Sequence, residues 1–183
     1  MRRPFLQGER VYLRALERSD LTERYLQWFN DAEVCAQNGH HRFPNSGALM
    51  ETYLREVISG PSDLVLAIID AGTDEHIGNI ALQGIDSVAR SAEYAIIVGQ
   101  KDHWGGGYAA EASRLLLRHG FEELNLHRIY LGTPVGNDAM QRLAEALGMR
   151  QEGRRREAFF KAGAYHDVLE YGILASEFDA GAR

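Results

Sequence analysis

Three consecutive glycines, Gly105, Gly106 and Gly107, stand between Trp104 and Tyr108-Ala109, after an apolar run at residues 92–98 and before a helical pattern at 109–124. Glycine reaches positive φ without steric cost and lets the backbone approach a ligand closely. A helix start exposes unpaired N–H groups that favour an anion. Strand, glycine turn and helix in that order read as a cradle for phosphate; without those flanks the same glycines would be an ordinary flexible loop. A P-loop would need Lys and Ser or Thr directly after the last glycine, and a dinucleotide fingerprint needs wider glycine spacing near the start of the chain. Neither pattern is present, which leaves a pyrophosphate held by backbone amides alone.

The elements that must position this loop follow from periodicity. Residues 9–15 alternate, with Val11, Leu13 and Ala15 against Tyr12 and Arg14, as in a half-buried strand. A helix capped by Ser19 or Asp20 is expected next, carrying Leu21, Tyr25, Trp28 and Phe29, then a loop at 39–44 and a helix over 47–58 with Leu49, Tyr53, Leu54, Val57 and Ile58. Apolar runs at 64–69, 76–82 and 92–98 predict a meander of strands. After the glycines come a helix, a strand at 128–131, a helix at 138–147 ended by Gly148, and two strands that turn at Ala162-Gly163. The strands before and after the glycine-loop helix then form a right-handed crossover and hence a parallel pair inside a mixed sheet, which puts the glycines at the carboxyl end of a strand, where open α/β sheets bind ligands.

Composition narrows the class. With 183 residues and 45% hydrophobic content, the chain is expected to fold as one domain over 1–183. No apolar run reaches the length of a membrane span, and Met1-Arg2-Arg3-Pro4 leads into mixed polar sequence, so a soluble cytoplasmic protein without membrane attachment is expected. A net charge of −6 disfavours nucleic acid as a partner, Arg154-Arg155-Arg156 notwithstanding. The single Cys35 admits no internal disulfide and no zinc pattern, so no metal is expected.

Coenzyme A fits a pyrophosphate held by amides, and here the residues carry a resemblance. Trp104-Gly105-Gly106-Gly107-Tyr108-Ala109-Ala110-Glu111-Ala112 resembles the coenzyme A loop of the GNAT superfamily, in the branch that contains ribosomal-protein-alanine and spermidine N-acetyltransferases. Residues 90–94, 124–130, 147–149, 157–160 and 165–167 resemble that branch at matching spacing, so the likeness spans about Val11 to Leu174. It implies an α/β (α+β) fold: a mixed, mainly antiparallel twisted sheet with a central splayed parallel strand pair and flanking helices. It also implies an acetyl-CoA-dependent N-acetyltransferase working in a ternary complex, often as a homodimer. The cofactor would contact the backbone of Ile97 and Val98, then Trp104, Gly105, Gly106, Gly107, Tyr108 and Ala109, and Asn137 would reach the pantetheine arm while capping the next helix. Trp104 departs from the usual Gln or Arg and is read as packing on the loop.

Acetyl transfer from a thioester needs an unprotonated amine, a donor to the developing oxyanion and a leaving thiolate. Glu93 is the expected base; His76 and His41 rank below it. The family's general acid is missing, because Met140 stands where a Ser is expected and Ala144 where spermidine-type members carry Tyr. Tyr165 or a water takes that role, or else the chain is a non-catalytic acetyl-CoA sensor or scaffold. The acceptor is expected to be a peptide N-terminus, a polyamine, an amino sugar or an aminoglycoside, met by a loop rim at 37–43 that carries Asn38, His40, His41 and Phe43. A polyamine would require convergent carboxylates, for which Glu33, Glu51 and Glu93 are available.

Overall fold

The computed structural model describes residues 4–60 and 62–179, the side chains of 57–59 excepted, so the expectations for Val57 and Ile58 lie outside the described residues. Along the chain run β1 (Leu6–Gln7), β2 (Val11–Ala15), α1 (Glu23–Asn30), α2 (Gly47–Ser59), β3 (Leu64–Asp70), β4 (His76–Asp86), β5 (Ser91–Val98), α3 (Tyr108–Glu122), β6 (Arg128–Pro134), α4 (Asp138–Ala146), β7 (Arg150–Lys161) and β8 (Ala164–Leu174). The strands form one sheet in the order β1-β2-β3-β4-β5-β6-β8-β7. Every pairing is antiparallel except β5 with β6, as the crossover argument requires.

That parallel pair is short. It aligns Ser91, Ala92 and Glu93 with Arg128, Ile129 and Tyr130, and the register then stops while β5 runs on to Val98 against β4. Beyond Glu93, the side of β5 that faces β6 has no strand partner among the described residues, and this opening positions everything that follows.

Helices cover both faces. On one, Val11, Leu13, Ile80, Leu82, Ala92, Tyr94, Ile129 and Leu131 pack under Ala112, Leu116 and Leu117 of α3. On the other, Tyr12, Ala67 and Ile69 meet Leu54 of α2, and Tyr25, Trp28 and Phe29 of α1 meet Met50, with Ile97 against them. This corrects the half-buried reading of β2: Tyr12 and Arg14 are buried as well as Val11 and Leu13, and Ala15 is exposed, because a sheet covered on both sides erases the alternation.

The first helix also differs from expectation. Residues 18–20 form a separate 3-10 turn, and α1 starts at Glu23 with Thr22 accepting from the Tyr25 amide as its cap. Asp20 is instead buried and ion-paired to Arg14. Among the described side chains of α2, Met50 and Leu54 are buried and Tyr53 packs beside Leu54, while Leu49 faces outward. Among the described residues, no helix is long and apolar enough to cross a membrane. No group of three or more His, Cys, Asp or Glu among them is placed to hold a metal ion.

Candidate active site

The glycine loop lies at the end of β5 as the spacing predicts. Gly105 and Gly107 have φ of +74° and +84°, and Gly107 in the left-handed region is the residue from which α3 departs. A side chain at Gly107 would carry the steric cost of that region, so the amides at the start of α3 depend on glycine for their presentation. Trp104 is partly exposed and fixed by its indole Nε1, which donates to the carbonyl of Val98 at 2.8 Å. Tyr108 begins α3 with its ring edge against His103, and Asp70 hydrogen-bonds His103 Nε2 at 3.0 Å. Burial pushes the Asp70 carboxyl up, but the amides of Thr73 and Gly72 with His103 and Tyr108 outweigh it and hold it below the ordinary carboxylate value.

Two residues that sequence reasoning missed complete this cradle. Glu111, one turn into α3, accepts from the backbone N–H of Glu9 at 2.6 Å and of Arg10 at 2.9 Å, which docks the β1–β2 turn onto the helix start. Arg10 thereby reaches the glycines, with Nη1 donating to the Gly106 carbonyl at 2.7 Å. Three amide-bearing glycines, a helix N-terminus and a guanidinium converge there, a donor set that fits a diphosphate.

The opened edge of β5 resolves the pair Ile97 and Val98. The Gly99 N–H donates to Ile77 O, so by strand alternation Ile97 also turns its N–H to β4. Val98 faces the other way: its carbonyl takes the Trp104 indole, and its N–H points into the opening. Ile97 contributes its side chain to the aromatic floor of Tyr25, Trp28 and Phe29. Gly99 is required here because a Cβ would sit 1.9 Å from the Trp28 ring.

Glu93 lies on the same face as Ile97, exposed, aligned with Gln83 on one side and Tyr130 on the other. Ile97 lies four positions further along the strand, about 13 Å of backbone at the usual rise. The contacts of His76 are structural. Its ring stacks on Tyr25, its Nε2 contacts Asn79 and the Gly78 carbonyl, and burial lowers its pKa further than Asn79 and Asp20 raise it.

The loop at 37–45 and the β7–β8 hairpin close the mouth together. Lys161 Nζ donates to the carbonyls of Asn38 at 3.1 Å and His40 at 2.8 Å, and Arg42 Nη2 donates to Phe160 O at 2.9 Å. His40, a rim residue by sequence, sets its ring edge-on to Phe29 on the aromatic floor, the centroids 4.9 Å apart. Of the residues singled out beforehand, Asn38 spends its side chain on the turn itself, accepting from His40 N and donating to Val34 O. His41 and Phe43 are exposed on the outer rim, His41 with φ of +59°. Tyr165 is exposed at the hairpin tip, its ring 4.9 Å from Phe160. Asn137 caps α4 through Met140 N; Met140 and Ala144 pack into the core and supply no acid. Of the three candidate carboxylates, Glu33 pairs with Lys101 at 2.6 Å and Glu51 with Arg18 at 2.8 Å, which leaves Glu93.

The comparisons with known proteins identify the family. The family model described as Acetyltransferase (GNAT) domain matches residues 10–150. The chain is 32% identical over 172 residues to the spermidine N(1)-acetyltransferase of Vibrio cholerae, covering 93% of this chain and 96% of that protein. It is 31% identical over 180 residues to the uncharacterized N-acetyltransferase p20 of Bacillus licheniformis, covering 94% and 97%. The crystal structure of the Vibrio cholerae spermidine N-acetyltransferase in complex with CoA and spermine superposes with a TM-score of 0.84 at 32% identity, over 92% of this chain and 97% of that one.

Proposed function

The chain belongs to the GNAT acetyltransferase family and is an N-acetyltransferase that uses acetyl-CoA, and from that premise we propose direct transfer of the acetyl group to a primary amine within a ternary complex. One observation carries the reading: the unpartnered Val98 N–H and the left-handed Gly107 lie at the same end of β5, with the aromatic floor and Glu93 on the adjoining face.

Acetyl-CoA supplies the acetyl group as an activated thioester and departs as a thiol. The residues of the chain do the rest. The α3 amides and Arg10 hold the diphosphate, and the open edge of β5 accepts the pantetheine amides as it would another strand. Val98 N–H donates to the carbonyl oxygen as negative charge develops there. Glu93, through one or two bridging waters, takes the proton from the attacking nitrogen as the C–N bond forms and the C–S bond breaks. A thiol with an ordinary pKa near ~8.5 leaves as thiolate without much help, so the absence of an acid at Met140 and Ala144 slows transfer without preventing it. Tyr165 or water returns the proton.

The test is coenzyme A release from acetyl-CoA across spermidine, peptides with free N-termini, aminoglycosides and amino-sugar nucleotides. Turnover at an enzyme-like rate on any class supports transfer; tight acetyl-CoA binding with no release on all of them favours the sensor or scaffold reading. Arg10→Gln should raise KM for acetyl-CoA about fivefold and leave KM for the amine unchanged, as expected for one charge-assisted contact to a phosphate. An unchanged KM in that variant would remove Arg10 from the cofactor site. The proposal takes 1–183 as one domain acting in the cytoplasm as a homodimer; a sedimentation mass of one chain at micromolar concentration would overturn the dimer.

A further inference from the structure

We infer that the acceptor amine carries a negatively charged group, a phosphate or a carboxylate, which the mouth of the site recognises through Arg42 and Lys161. The inference rests on the acetyltransferase reading above and names the substrate class of that site. It starts from the ion-pair ledger. Most of the cations described near the site face carboxylates: Lys101 holds Asp31 and Glu33, Arg18 holds Glu51, and Arg154 holds Asp167. Arg42 and Lys161 differ. Their hydrogen-bond partners are neutral backbone carbonyls, those of Phe160 for Arg42 and of Asn38 and His40 for Lys161.

Donor capacity is left over in both. An ammonium has three N–H donors, of which Lys161 spends two, and a guanidinium has five in a planar fork suited to oxyanions, of which Arg42 spends one. The Arg42 guanidinium is steadied from below by the Phe159 ring, 5.7 Å from its centroid. Residues 37–45 contain His40, His41 and Arg42 and no Asp or Glu, and residues 158–165 contain Lys161 and no Asp or Glu; of the hairpin carboxylates just outside, Glu157 and Asp167, the second is held by Arg154. The positive field is felt locally, since burial and then the Lys161 charge both lower the His40 pKa.

Position makes this a feature of the acceptor site. His40 rests on Phe29, and Phe29 belongs to the floor against which Ile97 packs, so the loop that carries Arg42 and is held by Lys161 borders the face to which Glu93 also belongs. A polyamine would bring several positive charges to this rim, and two of the three carboxylates that the sequence offered to receive them, Glu33 and Glu51, are already paired. An amine whose other end is anionic meets complementary charge on entry and leaves Glu93 to act on the nitrogen.

The experiment compares kcat/KM for matched peptides with free N-termini that differ only in Asp-Asp or Lys-Lys at the second and third positions, together with spermidine and an amino-sugar nucleotide. The expected result is at least a tenfold preference for an anionic acceptor over spermidine and the Lys-Lys peptide, narrowing as salt is raised. Arg42→Gln and Lys161→Gln should each cut that preference about tenfold, while the charge-preserving Arg42→Lys and Lys161→Arg keep most of it, which separates recognition from damage to the loop. Preference for the nucleotide alone identifies phosphate, and preference for the acidic peptide alone identifies carboxylate. Faster turnover of spermidine by the wild type, or a preference unmoved by both Gln variants, would overturn the inference and leave the acetyltransferase reading standing. No coenzyme A release with any acceptor would end both.

Discussion

Replacing Glu93 by Gln is expected to lower kcat about 100-fold near neutral pH, with KM for acetyl-CoA unchanged, the lower end of what a general base contributes. The substitution keeps the size and hydrogen-bonding shape of the side chain but removes its ability to accept a proton. A primary amine with a pKa near ~10 is almost wholly protonated at pH 7, so the enzyme must strip a proton before or during attack. Glu93 is exposed on the face that carries Ile97, and about 13 Å of strand lies between them, a gap that a carboxylate and one or two waters span. The deficit should therefore shrink as pH approaches the amine's own pKa, because free amine then no longer needs the relay. Rate profiles for wild type and variant between pH 6.5 and about 10 read this directly. Parallel profiles with equal plateaus would make Glu93 an ordinary solvated strand residue.

The parts of this site that could be read from sequence are those in which neighbours along the chain do the work. Gly105 to Gly107 act within a single turn, and the strand before them and helix after them are contiguous, so the cradle and the parallel crossover follow from local pattern. Arg10 and Glu111 are about a hundred residues apart and meet only because β2 lies beneath α3; nothing in the pattern at either position announces it. Arg42 and Lys161, and the contact of Lys161 with the rim residue His40, are illegible for the same reason, since the loop and the hairpin touch only after the sheet is assembled. At Val98 the decisive information is which way a strand residue faces once pairing with β6 stops, a property of register and not of side chains. Ser19 and Asp20 are plausible helix caps by residue type, and that chemistry pointed to the wrong partner: Asp20 caps nothing in α1 and instead neutralises Arg14.

That pair carries the largest stability prediction. Asp20→Asn should destabilise the fold by about 3–5 kcal/mol, the cost of leaving a buried charge without its counter-ion. Both side chains are under a tenth exposed, and Asp20 accepts from Arg14 Nη1 at 2.7 Å and Nη2 at 2.6 Å while also taking the Glu17 amide at 2.8 Å. Burial pushes the Asp20 carboxyl up, yet the Arg14 and Glu17 hydrogen bonds with the charges of His76 and Arg14 outweigh it, so its folded pKa lies below the ordinary value. A depressed carboxylate contributes stability that is full above its unfolded pKa, near ~4, and is lost as pH falls through the lower folded value. Urea denaturation should therefore show the wild type losing this contribution below about pH 4, while the Asn variant starts low at pH 7 and lacks that component of the slope. Replacing both partners with apolar residues of similar volume, Arg14→Met with Asp20→Leu, should recover most of the loss, since the cost belongs to the orphaned charge and not to the missing pair. If Asp20→Asn alone melts like the wild type, the pair is not what holds β2 to the turn. Because that turn leads directly into α1, the helix that brings Trp28 and Phe29 under the acceptor, a partly folded Asn variant should lose amine affinity before acetyl-CoA affinity; the cradle hangs from α3 and Glu111 on the opposite face.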